Sequence, residues 1–250
     1  MSLSKNQLKI ITSLNQKKYR TAHHLFVAEG TKIVAEFLNS TFELEHLFCV
    51  DKAIYKNIEK VAEISESELK KISTLVTPNN VLALFKIPST TPSIKSGLIV
   101  ALDEINDPGN LGAIIRLCDW FGVDQLVCST NTADCYNQKV VQSSMGSLAR
   151  VSLIYTDLET YLQNSFLPKY AAVIDGENVY KSKLPESAVL VMGNEANGIR
   201  ESILNLITNT ISIPRFGALK QTESLNVATA AAILLSEFKR LTYALNEKQV

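Results

Sequence analysis

The chain has 250 residues, 46% of them hydrophobic, with 25 basic and 25 acidic side chains. This length suits one large domain or two modest ones, and zero net charge argues against a protein that coats nucleic acid by bulk attraction. No apolar run approaches the ~20 residues that cross a bilayer, and the N-terminal stretch MSLSKNQLKI lacks a signal-peptide core.

A cytoplasmic protein with no membrane partner is therefore expected. Cys49, Cys118, Cys128 and Cys135 form no CxxC pair and read as buried free thiols. His23, His24 and His46 make no ligand pattern, so no metal is expected. Charge is uneven along the chain: residues 1–95 hold 13 basic against 9 acidic side chains, and the remainder 12 against 16. Lys5, Lys9, Lys17, Lys18 and Arg20 occupy the first twenty residues without an acid among them. A basic face of this kind suits phosphate contact, and a solvated helix face explains it nearly as well.

In chain order, apolar spacing at Leu3, Leu8, Ile10, Ile11 and Leu14 predicts an amphipathic helix over 4–18. A strand at 25–28, a helix at 29–38 and a strand at 44–50 follow. Helical signals then cover 52–62 and 66–72, and a last strand covers 81–85. This alternation predicts a small α/β layer. The run Ile87-Pro-Ser-Thr-Thr-Pro-Ser-Ile-Lys-Ser-Gly97 is rich in turn residues and reads as a linker. The expected division is an N-terminal domain over 1–88, a linker over 89–97 and a second domain over 98–250.

Beyond the linker the strands become continuous apolar runs, at 97–102, 125–128, 151–155, 170–174, 188–192 and 210–213. Helical stretches at 111–121, 138–148, 157–165, 198–207 and 223–242 lie between or after them. Strands apolar on both faces, alternating with helices, predict a mostly parallel sheet covered on both sides. Such sheets bind ligands beyond the C-terminal ends of their strands.

Three loops at strand ends are unusual. In the first, Pro108 and Gly109 force a turn, Asn110 can cap the following helix, and Arg116 lies four residues after Gly112 on one helical face. That places a guanidinium near a helix N-terminus, where a phosphate would sit well, although a surface pairing with Asp119 or Asp103 is equally open. The second loop, Gly193-Asn-Glu-Ala-Asn-Gly198, puts a carboxylate between two glycines that free the backbone for a flat ligand. The third joins Ile213-Pro214 to Ser224-Leu225-Asn226 and opens the final helix, which Thr222 or Ser224 can cap. That helix is almost wholly Ala, Val, Ile and Leu from 225 to 235, so it must be covered on most sides. No GxGxxG turn or GxxxxGK[ST] loop is present, which lowers the case for a dehydrogenase or an ordinary nucleotidase.

Together these segments resemble the SpoU (TrmH-like) branch of the SPOUT superfamily, S-adenosylmethionine-dependent RNA ribose 2′-O-methyltransferases. Asn110-x-Gly112-x-x-x-Arg116 is similar to its first motif, Gly193-x-Glu195-x-x-Gly198 to its second, and Ile213-Pro214 with Ser224-Leu-Asn-Val227 to its third. The segment Tyr136–Gly146 resembles the stretch between the first two motifs. Arg20, Phe26-Val-Ala-Glu-Gly30 and Lys32 resemble its N-terminal substrate-binding domain. The loop from Pro214 to Ser224 is longer than is usual in the family and carries Arg215, Phe216, Lys220 and Gln221, which bears on target choice.

The resemblance implies an α/β fold: a C-terminal parallel-sheet SPOUT domain with a trefoil knot, plus a small N-terminal α/β (L30e-like) substrate-binding domain. It implies a homodimer, with the Ala-rich face of 228–232 and the apolar side of 111–121 suited to the interface. It also implies RNA, ribosomal before transfer RNA, as partner and S-adenosyl-L-methionine as cofactor. Arg116, Asn226, Glu195 and Ser224 would serve the reaction. Gly193, Asn194, Gly198, Ile213 and Leu225 would cradle the cofactor, largely through backbone groups. Asn110, Arg20 and Lys32 would contact RNA. A guanidinium is a poor general base, so phosphate binding and polarisation of the hydroxyl are the favoured role for Arg116. A non-catalytic RNA-binding protein and a small-molecule α/β enzyme are the competing expectations.

Overall fold

A computed structural model describes residues 3–89, 93–217, 219 and 224–246, with 241–246 described through their backbone only. The chain forms two compact units, Met1–Thr90 with Asp134–Arg150, and Thr91–Ala133 with Val151–Val250.

In the first unit, α1 (Lys5–Ser13) begins with a capping box. The Gln7 main-chain N–H donates to Ser4 Oγ at 3.2 Å, and the Ser4 N–H to Gln7 Oε1 at 3.0 Å. The single helix expected over 4–18 is broken, because α1 ends at Ser13 with Leu14 as its C-cap and α2 (Lys17–His23) starts after Gln16. The break has a physical partner. Arg20 turns back and donates to the carbonyls of Leu14 at 2.7 Å and Asn15 at 3.0 Å, satisfying orphan acceptors at the end of α1. Its other donors meet Asp134 Oδ2 at 2.9 and 2.5 Å. Arg20 is buried, so it ties this unit together and is not the phosphate ligand expected of it.

The sheet of this unit has the order β1–β4–β2–β3, formed by β1 (Leu25–Glu29), β2 (Leu44–Cys49), β3 (Val61–Glu63) and β4 (Val81–Lys86). β4 runs antiparallel to β1 and β2, and β3 parallel to β2. The helix expected over 52–62 is only a 3₁₀ turn at Lys52–Tyr55, and 61–63 is strand, since pairing with β2 outweighs local propensity. α3 (Thr31–Leu38) and α4 (Glu66–Ile72) complete the layer. Residues beyond the expected linker also pack here. Tyr136 meets Phe26 at 4.8 Å between ring centroids, in a cluster with Phe37, Phe42 and Phe85, and α6 (Gln138–Ser143) lies beside β1.

The second unit is a six-stranded sheet of order β10–β8–β9–β5–β6–β7, with every pair parallel. The strands are β5 (Leu98–Asp103), β6 (Gln125–Ser129), β7 (Leu153–Thr156), β8 (Lys169–Asn178), β9 (Ala188–Gly193) and β10 (Asn209–Ser212). Ile99, Ala101, Val189 and Val191 face α7 (Leu158–Asn164) and α8 (Glu201–Leu204), burying Leu158, Leu162 and Ile203 against them. Alternation points Leu98, Val100 and Leu102 to the other face, covered by α5 (Pro108–Trp120) and α9 (Val227–Asn246). α8 is one short turn, where a helix over 198–207 is expected. The buried stripe of α9 is Val227, Ala231, Leu234, Leu235 and Phe238, spaced as one helical face. The four cysteines are buried.

Candidate active site

The chain order of the second sheet decides where a ligand belongs. From β5 the chain moves outward through β6 and β7, whereas β9 returns to β5's other side and its onward connection leads to β10 at the opposite edge. The loops after β5 and β9 therefore diverge at neighbouring strand ends, where Asp103 pairs with Gly193. A crevice between diverging loops is the ordinary ligand position in open parallel sheets.

These strand ends are held by polar contacts. Asp103 is fully buried. Its carboxylate accepts from the Arg200 main-chain N–H at 2.9 Å and from Arg200 Nε at 2.8 Å, and pairs ionically with Nη2 at 2.8 Å. Burial works against the Arg200 charge, but its bond to Asp103, with Glu104 and Glu159 nearby, outweighs this and raises the guanidinium above its usual range. This clamp fixes the β9 loop to the end of β5 and answers the pairing left open for Asp103, whose partner is Arg200 and not Arg116. Next to it, Glu104 is left-handed at φ 58°, a strained position for a residue with a side chain. Ser129 Oγ accepts the Glu104 N–H at 2.9 Å, and Asn131 Nδ2 donates to Glu104 Oε1 at 2.9 Å.

The β9 loop closes on itself. Asn194 and Gly198 exchange main-chain hydrogen bonds of 3.0 and 2.8 Å, Asn194 Oδ1 accepts from Ala196 and Asn197, and Asn194 Nδ2 donates to the Glu104 carbonyl at 2.8 Å. Gly193 is required by close approach, since a Cβ there would stand 2.3 Å from the Gly198 carbonyl carbon. Gly198 has φ +68° but open space around its Cβ position. Gly193→Ala is therefore expected to lower stability by about 1–3 kcal/mol through overpacking, and Gly198→Ala by about 1–2 kcal/mol through its left-handed backbone. Urea unfolding midpoints check both, and equal, negligible shifts would contradict the close packing of this loop.

Three segments far apart in sequence meet at Asn110. Asp107, not Asn110, caps α5, by accepting the Asn110 N–H at 2.8 Å. The Asn110 side chain is thereby released: Nδ2 donates to Glu195 Oε1 at 2.5 Å, and Oδ1 accepts from Asn226 Nδ2 at 2.9 Å. Asn226 Oδ1 accepts the N–H groups of Ala228 at 2.9 Å and Thr229 at 3.3 Å, so Asn226 itself caps α9. Ser224 is exposed and does not cap, and Thr222 lies outside the described residues. The result is a one-way relay from the N-terminus of α9, through two carboxamides, to the Glu195 carboxylate. Each bond polarises the next, and the acceptor at the end carries the charge.

The remaining expected residues fall as follows. Arg116 is exposed on α5, and among the described residues no hydrogen bond or ion pair engages it. Ile213 is half-buried and Leu225 is 47% exposed. Lys32 is exposed in the first unit. The Asp103–Arg200 clamp is the feature that motif reading passes over, and its only signal is an acid ending an otherwise apolar strand. Among the described residues no group of three or more His, Cys, Asp or Glu is placed to hold a metal ion. Nor is any described helix long and apolar enough to cross a membrane.

Fold and site define an α/β protein with an all-parallel, two-sided sheet and a ligand crevice at its strand ends. The SpoU rRNA Methylase family profile matches residues 97–236, and the MRM3-like substrate binding domain profile matches residues 5–83. The chain belongs to the SpoU rRNA methylase family. It is 31% identical over 242 residues to the 23S rRNA (guanosine(2553)-2′-O)-methyltransferase RlmP of Bacillus subtilis, covering 93% of this chain and 96% of that one. A structure from Porphyromonas gingivalis assigned to the TrmH family of RNA methyltransferases superposes with TM-score 0.88 at 38% identity, over 96% of this chain and 99% of that one. An AdoMet-bound rRNA methyltransferase from Sinorhizobium meliloti superposes with TM-score 0.85 at 26% identity, over 96% and 98% of the two chains.

Proposed function

We propose that the protein transfers a methyl group from S-adenosyl-L-methionine to a ribose 2′-hydroxyl of ribosomal RNA in the cytoplasm. The observation that carries this reading is the relay Glu195–Asn110–Asn226, which joins one residue from each of the three motif segments at a single strand-end crevice.

The crevice suits the donor. Gly198 presents an open backbone face, and Ile213, half-buried, and Leu225, exposed, offer apolar surface on the third motif segment. Gly193, Asn194, Gly198, Ile213 and Leu225 would hold the donor, which supplies an electrophilic methyl on a good leaving group. The protein's part is alignment and activation of the hydroxyl. Alignment alone can contribute roughly 7–11 kcal/mol. Glu195 is already engaged by Asn110, so it orients the β9 loop. Arg116 is exposed and has no hydrogen bond or ion pair among the described residues. It binds the phosphate beside the target ribose and draws charge from its hydroxyl. Ser224, exposed at the start of the final segment, adds a hydrogen bond to the ribose.

The N-terminal domain, 1–88, joined through 89–97 to the catalytic domain, 98–250, grips RNA through exposed lysines. Replacing Lys9, Lys17 and Lys32 together by Gln is expected to flatten the slope of log affinity against log salt by about two. An unchanged slope would take these lysines out of the RNA contact.

We further propose that the catalytic domain carries a trefoil knot and pairs as a homodimer. β10 lies at the far edge beyond β8, yet α9 packs back on α5 and β9, so the last segment must recross the sheet end. An experimental trace of 209–246 tests the knot. The apolar side of α5 is covered within its own unit by burial of Leu111, Ile114, Ile115 and Cys118, which corrects the expectation that it faces a partner. What it leaves outward is Trp120, 83% exposed, a large apolar surface suited to a second copy. Sedimentation equilibrium at micromolar concentration reads the dimer, and a monomer there would remove it.

The central experiment is a titration with labelled S-adenosylmethionine, paired with mapping of 2′-O-methyl positions in total RNA with and without the protein. Uptake of the donor and one site-specific gain in rRNA are expected. A purified chain that never takes up the donor would end the reading, and a gain confined to tRNA would move the substrate.

A further inference from the structure

Two aromatic side chains at the same strand ends have no part in methyl transfer as described. β8 ends at Asn178 and β10 at Ser212, and both run parallel with β5 and β9. Their outgoing loops therefore leave the edge of the sheet that carries Asn110 and Glu195. On those loops Tyr180 is 43% exposed and Phe216 82% exposed, with ring centroids 6.4 Å apart and ring planes at 37°.

Tyr180 is held firmly. The Tyr180 N–H donates to Asn178 Oδ1 at 3.0 Å, Lys181 N–H and Ser182 Oγ donate to the Asn178 carbonyl at 2.9 and 3.0 Å, and the buried Val179 donates to the Ser212 carbonyl at 3.0 Å. Beneath this turn β8 and β10 approach closely. Ser212 Oγ donates to the Gly176 carbonyl at 2.8 Å, and a Cβ on Gly176 would stand 2.6 Å from the Ile211 carbonyl carbon. One ring thus stands on a fixed base, and the other lies two residues after Pro214. The rings lean towards contact and do not open as parallel jaws, so they offer an outer face and no slot between them. Lys181 and Arg215, both exposed, adjoin the two rings in sequence.

We propose that Tyr180 and Phe216 form a stacking platform for one unpaired nucleobase of the RNA, flanking the nucleotide whose ribose is methylated, with Lys181 at the adjoining phosphate. The proposal rests on the methyl-transfer reading for the RNA being the substrate. Three observations select this occupant: flat apolar faces left to solvent, cations beside them, and continuity with the edge where a ribose is to be presented. RNA read in single-stranded form splays its bases out and stacks them on aromatic rings, and stacking of this kind tolerates any base. The platform therefore sets where the strand lies more than which base is chosen.

The test uses the full chain and a single-stranded oligoribonucleotide carrying 2-aminopurine, with a fully paired duplex as control. The wild-type chain is expected to quench the probe in the single strand and not in the duplex. Phe216→Ala and Tyr180→Ala each lose the quenching and weaken single-strand binding by about five- to a hundredfold. Phe216→Trp keeps both, and donor affinity is unchanged throughout. Retained quenching and affinity in both alanine variants would overturn the platform. So would loss of donor affinity in step with loss of quenching, which would assign the rings to the donor pocket, or a shifted monomer–dimer balance with RNA binding intact. A chain that binds no donor would end the methyl-transfer reading while leaving the quenching measurement legible, so the two failures are distinct.

Discussion

Arg116→Ala is expected to remove nearly all methyl transfer while leaving donor affinity within a few-fold of wild type. The side chain is exposed on α5, and no hydrogen bond or ion pair engages it among the described residues. An exposed side chain away from special features changes stability by at most about 0.5 kcal/mol when replaced, so the unfolding midpoint should not move. Loss of activity would then be a loss of chemistry. A single preorganised donor at a developing anion is worth roughly a hundred- to a thousandfold in turnover. Arg116→Lys keeps the charge but not the planar fork that grips a phosphate through two bonds, so it should fall between the two. Wild-type turnover in Arg116→Ala, measured under single-turnover conditions with saturating donor, would take the residue out of the mechanism.

The second large effect is on stability. Arg200→Met leaves the Asp103 carboxylate fully buried with one main-chain N–H in place of two hydrogen bonds and an ion pair. Breaking a buried ion pair costs about 3–5 kcal/mol, and the lower end is expected here because Arg200 keeps contact with solvent. Asp103→Leu combined with Arg200→Met removes the stranded charge and should recover most of that stability, since apolar replacement of a whole buried pair is often neutral. Donor affinity should stay weak in the double variant, because the β9 loop has lost its tie to β5. Urea unfolding of both variants beside wild type gives the comparison. A wild-type midpoint in Arg200→Met would show that the clamp contributes nothing to folding.

Much of the catalytic unit is legible in local pattern. Runs such as Leu98–Leu102 and Ala188–Met192 are apolar on both faces, and only a parallel sheet covered on two sides buries them. Turn residues mark the ends of those runs, and Asn110, Glu195 and Asn226 stand there because loops at strand ends carry function on a rigid frame. The helix caps differ from expectation for a definite reason. Several residues at each helix start have a suitable side chain, and which one turns inward depends on its tertiary partners: Asp107 took the cap of α5, and Asn110 was left to reach Glu195 and Asn226.

Arg20 shows the same limit more sharply. In the sequence it belongs to a basic cluster open to phosphate, and in the fold it is buried among two carbonyls and Asp134, a residue 114 positions away. Likewise 61–63 is strand because β2 lies beside it, not because of its own composition. Periodicity and turn chemistry act over a few residues, so they determine which segments become strands, helices and loops, and they bring function to the loops. Which side chains meet across those loops is set by long-range packing, through which Asp103 found Arg200 and Tyr180 found Phe216. Only the tertiary structure could decide that.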